Sequence, residues 1–263
     1  LADEYANRRH PYGHWKDTAV KVEGDAVRSY TVMFFNLWYS IGPESGKNFI
    51  PGDYLKYLPE DNAETRKELS SQKEGWDIPE SGYVMPYGDG PNSRHALAEN
   101  VYLDMLNRAN RYNHIMTPYF INDNATMRAF KYAAERGTEV KLIVPHIPDK
   151  KLIYDVTRTN YPVLLRAGVK VYEYTPGFVH AKEVVADGNK AVVGSIINFD
   201  FRSLYHHFEC ATYIYRNPVV AEIEADFQKT LETCQEVTME YYKAIPWHHR
   251  LIGKVLNFFA PLL

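Results

Sequence analysis

The chain has 263 residues, enough for one large or two small hydrophobic cores, and its net charge of −3 gives no global case for nucleic-acid binding. Its two cysteines, Cys210 and Cys234, lack metal-ligand spacing and cannot form a disulfide framework; they read as reduced core thiols in a reducing compartment. No apolar run approaches the ~18 residues of a membrane span, no signal-peptide pattern is present, and the first residue, Leu1 rather than Met, suggests a soluble fragment.

Asp17-Thr18-Ala19-Val20-Lys21-Val22 alternates like a strand and leads into a helical stretch reaching Phe35. Tyr39 to Gly82 concentrates turn residues, including Gly42-Pro43, Pro51-Gly52 and Pro59-Glu60-Asp61-Asn62, and reads as a connection with one short helix near Ala63 to Lys73. Tyr83 to Met85 is then a short strand, Ala96 to Arg108 a helix with Leu97, Val101 and Met105 on its apolar face, and His114 to Met116 a strand. Asn124 to Glu135 is a helix ended by Gly137. Val140 to Val144 is a buried strand, Lys151 to Arg166 a helix interrupted before Pro162, and Val169 to Tyr174 a strand. Two apolar runs, Phe178 to Ala186 and Ala191 to Val193, flank Asp187-Gly188-Asn189, a strong hairpin signal. Phe199 to Tyr205 is a loop, Glu209 to Tyr215 a strand and Val219 to Tyr242 a long helix. Strands alternating with helices predict an α/β domain, a mixed β-sheet flanked by helices.

The hairpin carries the chemistry. His180-x-Lys182, Asp187, Gly194-Ser195 and Asn198 form the string H-x-K-x4-D-x6-G-S-x2-N, which occurs once. Side chains two apart on a strand share a face, so His180 and Lys182 are expected to point the same way, with Ser195 roughly opposite His180 across the turn. Imidazole works near neutral pH and can act as a nucleophile. Lys182 offers a compact cation to phosphate oxygens, to which Ser195 and Asn198 can also donate. A bare His-x-Lys is most often an ordinary half-buried strand; the full string, continuing through Asp200 and Arg202 to Ser203, is far more restrictive.

That string resembles the second HKD motif of the phospholipase D superfamily. Thr117-Pro118-Tyr119-Phe120, Ala133-Ala134-Glu135-Arg136-Gly137, Gly168 to Tyr174, Gly177 to Lys182 and the ending Phe259-Ala260-Pro261-Leu262-Leu263 resemble its cardiolipin synthase branch. An offset of 192 residues relates Asp17 to Glu209, Val27 to Val219 and Phe35 to Phe227. With the resemblance, this divides the chain into the tail of a first phospholipase D-like repeat (1–40), an inter-repeat connection (41–82), a complete second phospholipase D-like domain (83–245) and an amphipathic C-terminal segment (246–263). The first HKD motif would then precede Leu1, to be supplied by a missing N-terminal half or a second copy.

The resemblance implies a phospho-histidine mechanism that joins two phosphatidylglycerol molecules into cardiolipin and releases glycerol. It makes Glu209 the acid that holds the other nitrogen of His180, and Asp17 the matching acid for the missing histidine. It gives Asp187 a structural pairing within the fold and lets Asp200 and Arg202 hold the loop after the motif. Tyr119, Phe120 and Arg158 are expected at the headgroup end of the cleft, although an aromatic at a strand end is more often core. Neither a metal nor a cofactor is expected; His206-His207 and His248-His249 lack a carboxylate or Cys at useful spacing and read as solvated or packing residues. The C-terminal segment, with Trp247, Leu251, Val255 and Phe258 beside Arg250 and Lys254, suits either docking on the core or an anionic phospholipid membrane at which the enzyme works. Two other classes stay open: a phospholipase D or nuclease-type phosphodiesterase, and a non-catalytic half-site that only binds phospholipid.

Overall fold

The computed structural model of the protein describes residues 2–41, 82–91, 93–194 and 197–262. The expected connection, with its helix near Ala63 to Lys73, and Ser195 lie outside the described residues.

The core is an eight-stranded mixed sheet. Its strands in chain order are β2 (Tyr83–Asp89), β3 (Tyr112–Met116), β5 (Glu139–Pro145), β6 (Lys170–Tyr174), β8 (Glu183–Ala186), β9 (Lys190–Gly194), β11 (Glu209–Tyr215) and β12 (Cys234–Val237), lying side by side in the order β12-β6-β5-β3-β8-β9-β11-β2. The β3-β5-β6 group is parallel and every other pairing antiparallel. Two short parallel pairs stand beside it: β1 (His14–Lys16) on β7 (Gly177–Val179), and β4 (Phe120–Ile121) on β10 (Phe199–Asp200).

Helices cover both faces, as the α/β pattern predicts. On one side Tyr102 and Met105 of α2 (Leu97–Arg108), Phe130 of α3 (Asn124–Glu135) and Leu164 of α5 (Tyr161–Ala167) pack with Val184, Ala186 and Val192. On the other, Val220 and Ile223 of α7 (Val219–Leu231) pack with Val185, Ala191 and Val193. The alternation of Val184, Val185 and Ala186 between the two cores is the period of 2 expected of a strand buried on both faces. The β8–β9 turn has Asp187 at φ 56° and Gly188 at φ 73°, the two successive positive φ values of the two-residue turn that suits strand twist. Capping sets α3: Asp123 accepts from the Thr126 backbone N–H at 2.8 Å, and Gly137 follows at φ 94°.

Four expectations need correction, and a fifth is met. Residues 17–22 are not a strand; β1 ends at Lys16 and an irregular segment runs to α1 (Ala26–Ile41). Its alternation finds no partner strand among the described residues, and a strand without a ladder leaves its backbone groups unpaired. The run Phe178 to Ala186 is not one strand either. It splits at His180-Ala181-Lys182, because His180 N and Ala181 N both donate to Lys16 O, at 2.6 and 3.1 Å, handing the chain from the β1 ladder to the main sheet. The helix from Lys151 is interrupted before Pro162 as expected: it divides into α4 (Lys151–Thr159) and α5 at Asn160, with Pro162 in the first turn of α5, where its missing N–H costs nothing. Phe199 to Tyr205 forms β10 and the short α6 (Phe201–Tyr205), capped by Asp200 accepting from Ser203 N at 2.7 Å. Finally, the long helix stops at Leu231; β12 and α8 (Met239–Ala244) follow, α8 being capped by Thr238, which accepts from Tyr241 N at 3.1 Å.

Candidate active site

His180 and Lys182 sit where β7 gives way to β8, on the irregular link rather than on a strand. Lys182 Nζ nevertheless lies 2.8 Å from both ring nitrogens of His180, so the two converge as their spacing suggested. The acid on His180 is Asp17: its Oδ2 is 2.8 Å from His180 Nδ1. The family resemblance implies Glu209 at that nitrogen and Asp17 at a different histidine; the structure places the two acids otherwise.

The N-terminal segment delivers Asp17 by close packing. β1 lies on β7 with Trp15 beside Phe178. Backbone approach is tight at Gly177, where a Cβ would fall 2.4 Å from both N and O of His14. Asn7 clamps the strand from outside, donating from Nδ2 to Trp15 O at 2.8 Å and accepting from Trp15 N at 2.7 Å. Trp15 is buried and its ring lies 4.9 Å from the His180 ring, with Tyr5 edge-on at 5.3 Å. The imidazole is therefore walled by aromatic surface and keeps a polar contact on each side.

Burial sets the charges here. Lys182 is buried and its ammonium is pushed down to about 8 by desolvation, against the opposing pull of the Asp17, Glu209 and Asp200 carboxylates. Burial also pushes Asp17 upward, but the hydrogen bond to His180 and the charges of His180 and Lys182 outweigh it, and its carboxyl falls below the ordinary range. Glu209 is buried and pushed up to about 8, first by desolvation and then by Asp200. It sits 3.6 Å from His207 Nδ1, and its charge interacts with Lys182. Glu209 thus borders the cation rather than holding the imidazole.

The remaining expected site residues divide. Gly194 N donates to Lys182 O at 2.8 Å, fixing β9 beside the motif; Ser195, next in the chain, lies outside the described residues. Asn198 is buried and donates to Ser203 Oγ at 3.1 Å, which ties it to the loop that Asp200 caps. Asp187 is committed elsewhere, accepting from the backbone N–H groups of Asn110, Arg111 and Tyr112 at 2.9, 2.8 and 3.1 Å, where it braces the entry to β3. Tyr119 packs its ring 6.3 Å from Phe178 and donates to Asp149 Oδ2 at 2.5 Å, near the β7 side of the motif.

Two expected substrate contacts are structural instead. Phe120 is fully buried against Phe130 and Phe199, inside the main core. Arg158 stacks 4.0 Å over the Tyr154 ring and lies 3.5 Å from the fully buried Glu173, which also takes hydrogen bonds from Tyr161 and Tyr241. An arginine that neutralises a buried carboxylate is not spare for phosphate. The histidine pairs are similarly engaged: His207 Nε2 accepts from Arg202 Nε at 2.8 Å, and His249 Nδ1 meets Asp155 at 2.8 Å. Among the described residues no cluster of three His, Cys, Asp or Glu is arranged to hold a metal.

The chain holds a second His-x-Lys, His14-Trp15-Lys16. It carries Lys21 where the motif would need Asp, and its side chains meet Tyr174 and Asp226 at 2.9 and 2.5 Å. It serves to anchor β1, and so places Asp17.

Residues 102–231 match a family described as the cardiolipin synthase, PLD-like domain. That match takes in about half of the chain, and over it the chain resembles cardiolipin synthases of the phospholipase D superfamily. It is 46% identical over its whole length to an uncharacterized protein of Streptococcus mutans, covering 52% of that protein. It is 32% identical over its whole length to a cardiolipin synthase of Halalkalibacterium halodurans, covering 48% of it. The chain therefore spans about half the length of the curated relatives it matches. Among solved structures it resembles the phosphatidylserine synthase of Haemophilus influenzae, with a TM-score of 0.54 at 18% identity over 68% of this chain and 45% of that one. At that identity the likeness speaks for the fold, and the mixed sheet with helices on both faces is the phospholipase D-like architecture expected from the motif.

Proposed function

We propose that the chain carries half of a phosphatidyl-transfer centre that makes cardiolipin from two phosphatidylglycerol molecules and releases glycerol. The observation that supports this most is the Asp17–His180–Lys182 constellation: a carboxylate on one imidazole nitrogen and a buried ammonium against the ring. Its similarity to cardiolipin synthases supports phosphatidyl transfer as the reaction class.

An imidazole whose Nδ1–H is held by a carboxylate presents Nε2 for proton transfer, as an acid while the ring is protonated and as a base once it is neutral. Transfer at phosphorus through a phospho-histidine needs two such groups. The nucleophilic nitrogen forms the N–P bond as the P–O bond to glycerol breaks, and while it is bonded to phosphorus it cannot protonate the departing oxygen. Following the family resemblance, His180 takes the acid/base part. It gives its proton to the glycerol oxygen, then removes the proton from the hydroxyl of the second phosphatidylglycerol, which attacks phosphorus and breaks the N–P bond. Lys182 neutralises charge on the phosphoryl oxygens, with Ser195 and Asn198 as further donors. The nucleophile comes from a second His-x-Lys set, supplied by the other half of a longer protein or by a second copy. Monomeric chain is then expected to be inactive or nearly so.

The test follows labelled phosphatidylglycerol incubated with the chain, its mass measured under native conditions in parallel. No cardiolipin from a monomer, and none from His180→Ala in any assembled form, is the expected result. Robust turnover by a demonstrated monomer would overturn the half-site. Phosphatidate without cardiolipin would assign a phospholipase D, and cleavage of DNA a nuclease.

A further inference from the structure

The last helix, α9 (Trp247–Asn257), is amphipathic in an unusual sense: one face is docked and the other, also apolar, is not. Its docked face meets α4 so closely that a Cβ at Gly253 would come within 2.2 Å of the Asp155 carbonyl oxygen. The His249–Asp155 pair, at 2.8 Å with Asp155 buried, fixes the rotation of the helix about its axis. The opposite side is thereby held outward. Trp247, Leu251, Val255 and Phe258 recur at helical spacing there, 68%, 52%, 54% and 82% exposed, with Phe259 beside them. A contiguous apolar stripe of this kind, held in place rather than collapsed onto the core, marks an interaction surface.

Charge identifies the occupant. From Tyr241 to Leu263 the sequence contains no Asp or Glu, while Lys243, Arg250 and Lys254 give it three full positive charges in a chain whose net charge is −3. Lys243 and Lys254 are exposed. A second copy of this chain meeting the stripe face to face would set these cations against their like. An anionic lipid surface would neutralise them while burying the large side chains at the level of the headgroups, the arrangement of an interfacial amphipathic helix.

We propose that the outer face of α9 is a docking surface for an anionic lipid bilayer, holding the chain peripherally on the membrane. This goes beyond the transfer reaction and does not rest on it. The test is co-sedimentation of the full chain with vesicles of phosphatidylcholine, alone or doped with phosphatidylserine, at low and high salt. Binding is expected to require phosphatidylserine and to fall at high salt. Leu251→Ser/Val255→Ser/Phe258→Ser should weaken it by about tenfold or more with the fold kept, because each of these side chains is more than half exposed. Lys243→Glu/Lys254→Glu should weaken it at low salt. His180→Ala should bind as the parent does, which separates this surface from the transfer centre. Absence of binding to doped vesicles, or binding indifferent to both sets of variants, would overturn the proposal. So would self-association of the parent that the triple serine variant abolishes, in the absence of vesicle binding; that result would assign the stripe to a second copy.

Discussion

Asp17 and His180 are separated by 163 positions in sequence and by 2.8 Å in space. The contact depends on β1 lying against β7, because Asp17 follows the last residue of β1 and His180 the last residue of β7. Parallel pairing brings both chains off the ladder at the same end, so the acid and the imidazole meet without either residing in the main sheet.

Removing the carboxylate while keeping its shape tests that contact. Asp17→Asn should lower phosphatidyl transfer by the assembled enzyme by about a hundredfold or more, since an amide holds the wrong tautomer and cannot support a cationic ring. The fold should survive, as Asp17 is a partly exposed residue at the end of β1. Circular dichroism alongside the transfer assay checks both parts.

The delivery of Asp17 can be disturbed from a distance. A Cβ at Gly177 would overlap the backbone of His14, which cannot yield as a flexible side chain would. Gly177→Ala should therefore loosen β1, cost about 1–3 kcal/mol in denaturant unfolding, and reduce transfer although no catalytic group has changed.

Lys182 gives the site a pH limit. With its ammonium near 8, phosphate binding should weaken as pH rises through that value and the cation loses its proton. Titrating the affinity for a non-hydrolysable phosphatidyl analogue between pH 6 and pH 10 (roughly the window set by the shift) checks this. Lys182→Arg should extend binding upward, because guanidinium keeps its charge.

Glu183, fully buried on β8, gives the fold a pH dependence of its own. Burial raises its carboxyl from 4.5 to about 8. Between those values the folded protein holds a proton that the unfolded chain releases, so this group's contribution is fully favourable below about 4.5 and is lost as pH rises through about 8. Glu183→Gln should remove that slope and leave the variant the more stable of the two at pH 8, read from thermal midpoints at pH 5 and pH 8.

Much of this architecture is written in short-range chemistry. Asp123 and Gly137 bound α3 by capping, Asp187-Gly188 dictates the β8–β9 turn, and the alternation through Glu209–Tyr215 marks β11. What escapes is what depends on partners distant in sequence. β12 is a four-residue strand whose sequence, Cys-Gln-Glu-Val, has no apolar alternation; pairing with β6 defines it. Thr238 with its cap to Tyr241 was the available signal that the helix had already ended. Arg158 and Phe120 resemble pocket residues until Glu173 and the Phe130–Phe199 cluster occupy them. Asp17 and Glu209 correspond by the 192-residue offset, which relates them without saying which histidine each one meets.

The most direct measurement is nitrogen NMR of the His180 imidazole in the parent, Asp17→Asn and Glu209→Gln. If Asp17 holds Nδ1, its replacement shifts the ring-nitrogen signals, while Glu209→Gln leaves them near the parent's. The reverse pattern, with His180 responding to Glu209 and indifferent to Asp17, would contradict the arrangement on which the proposed chemistry depends.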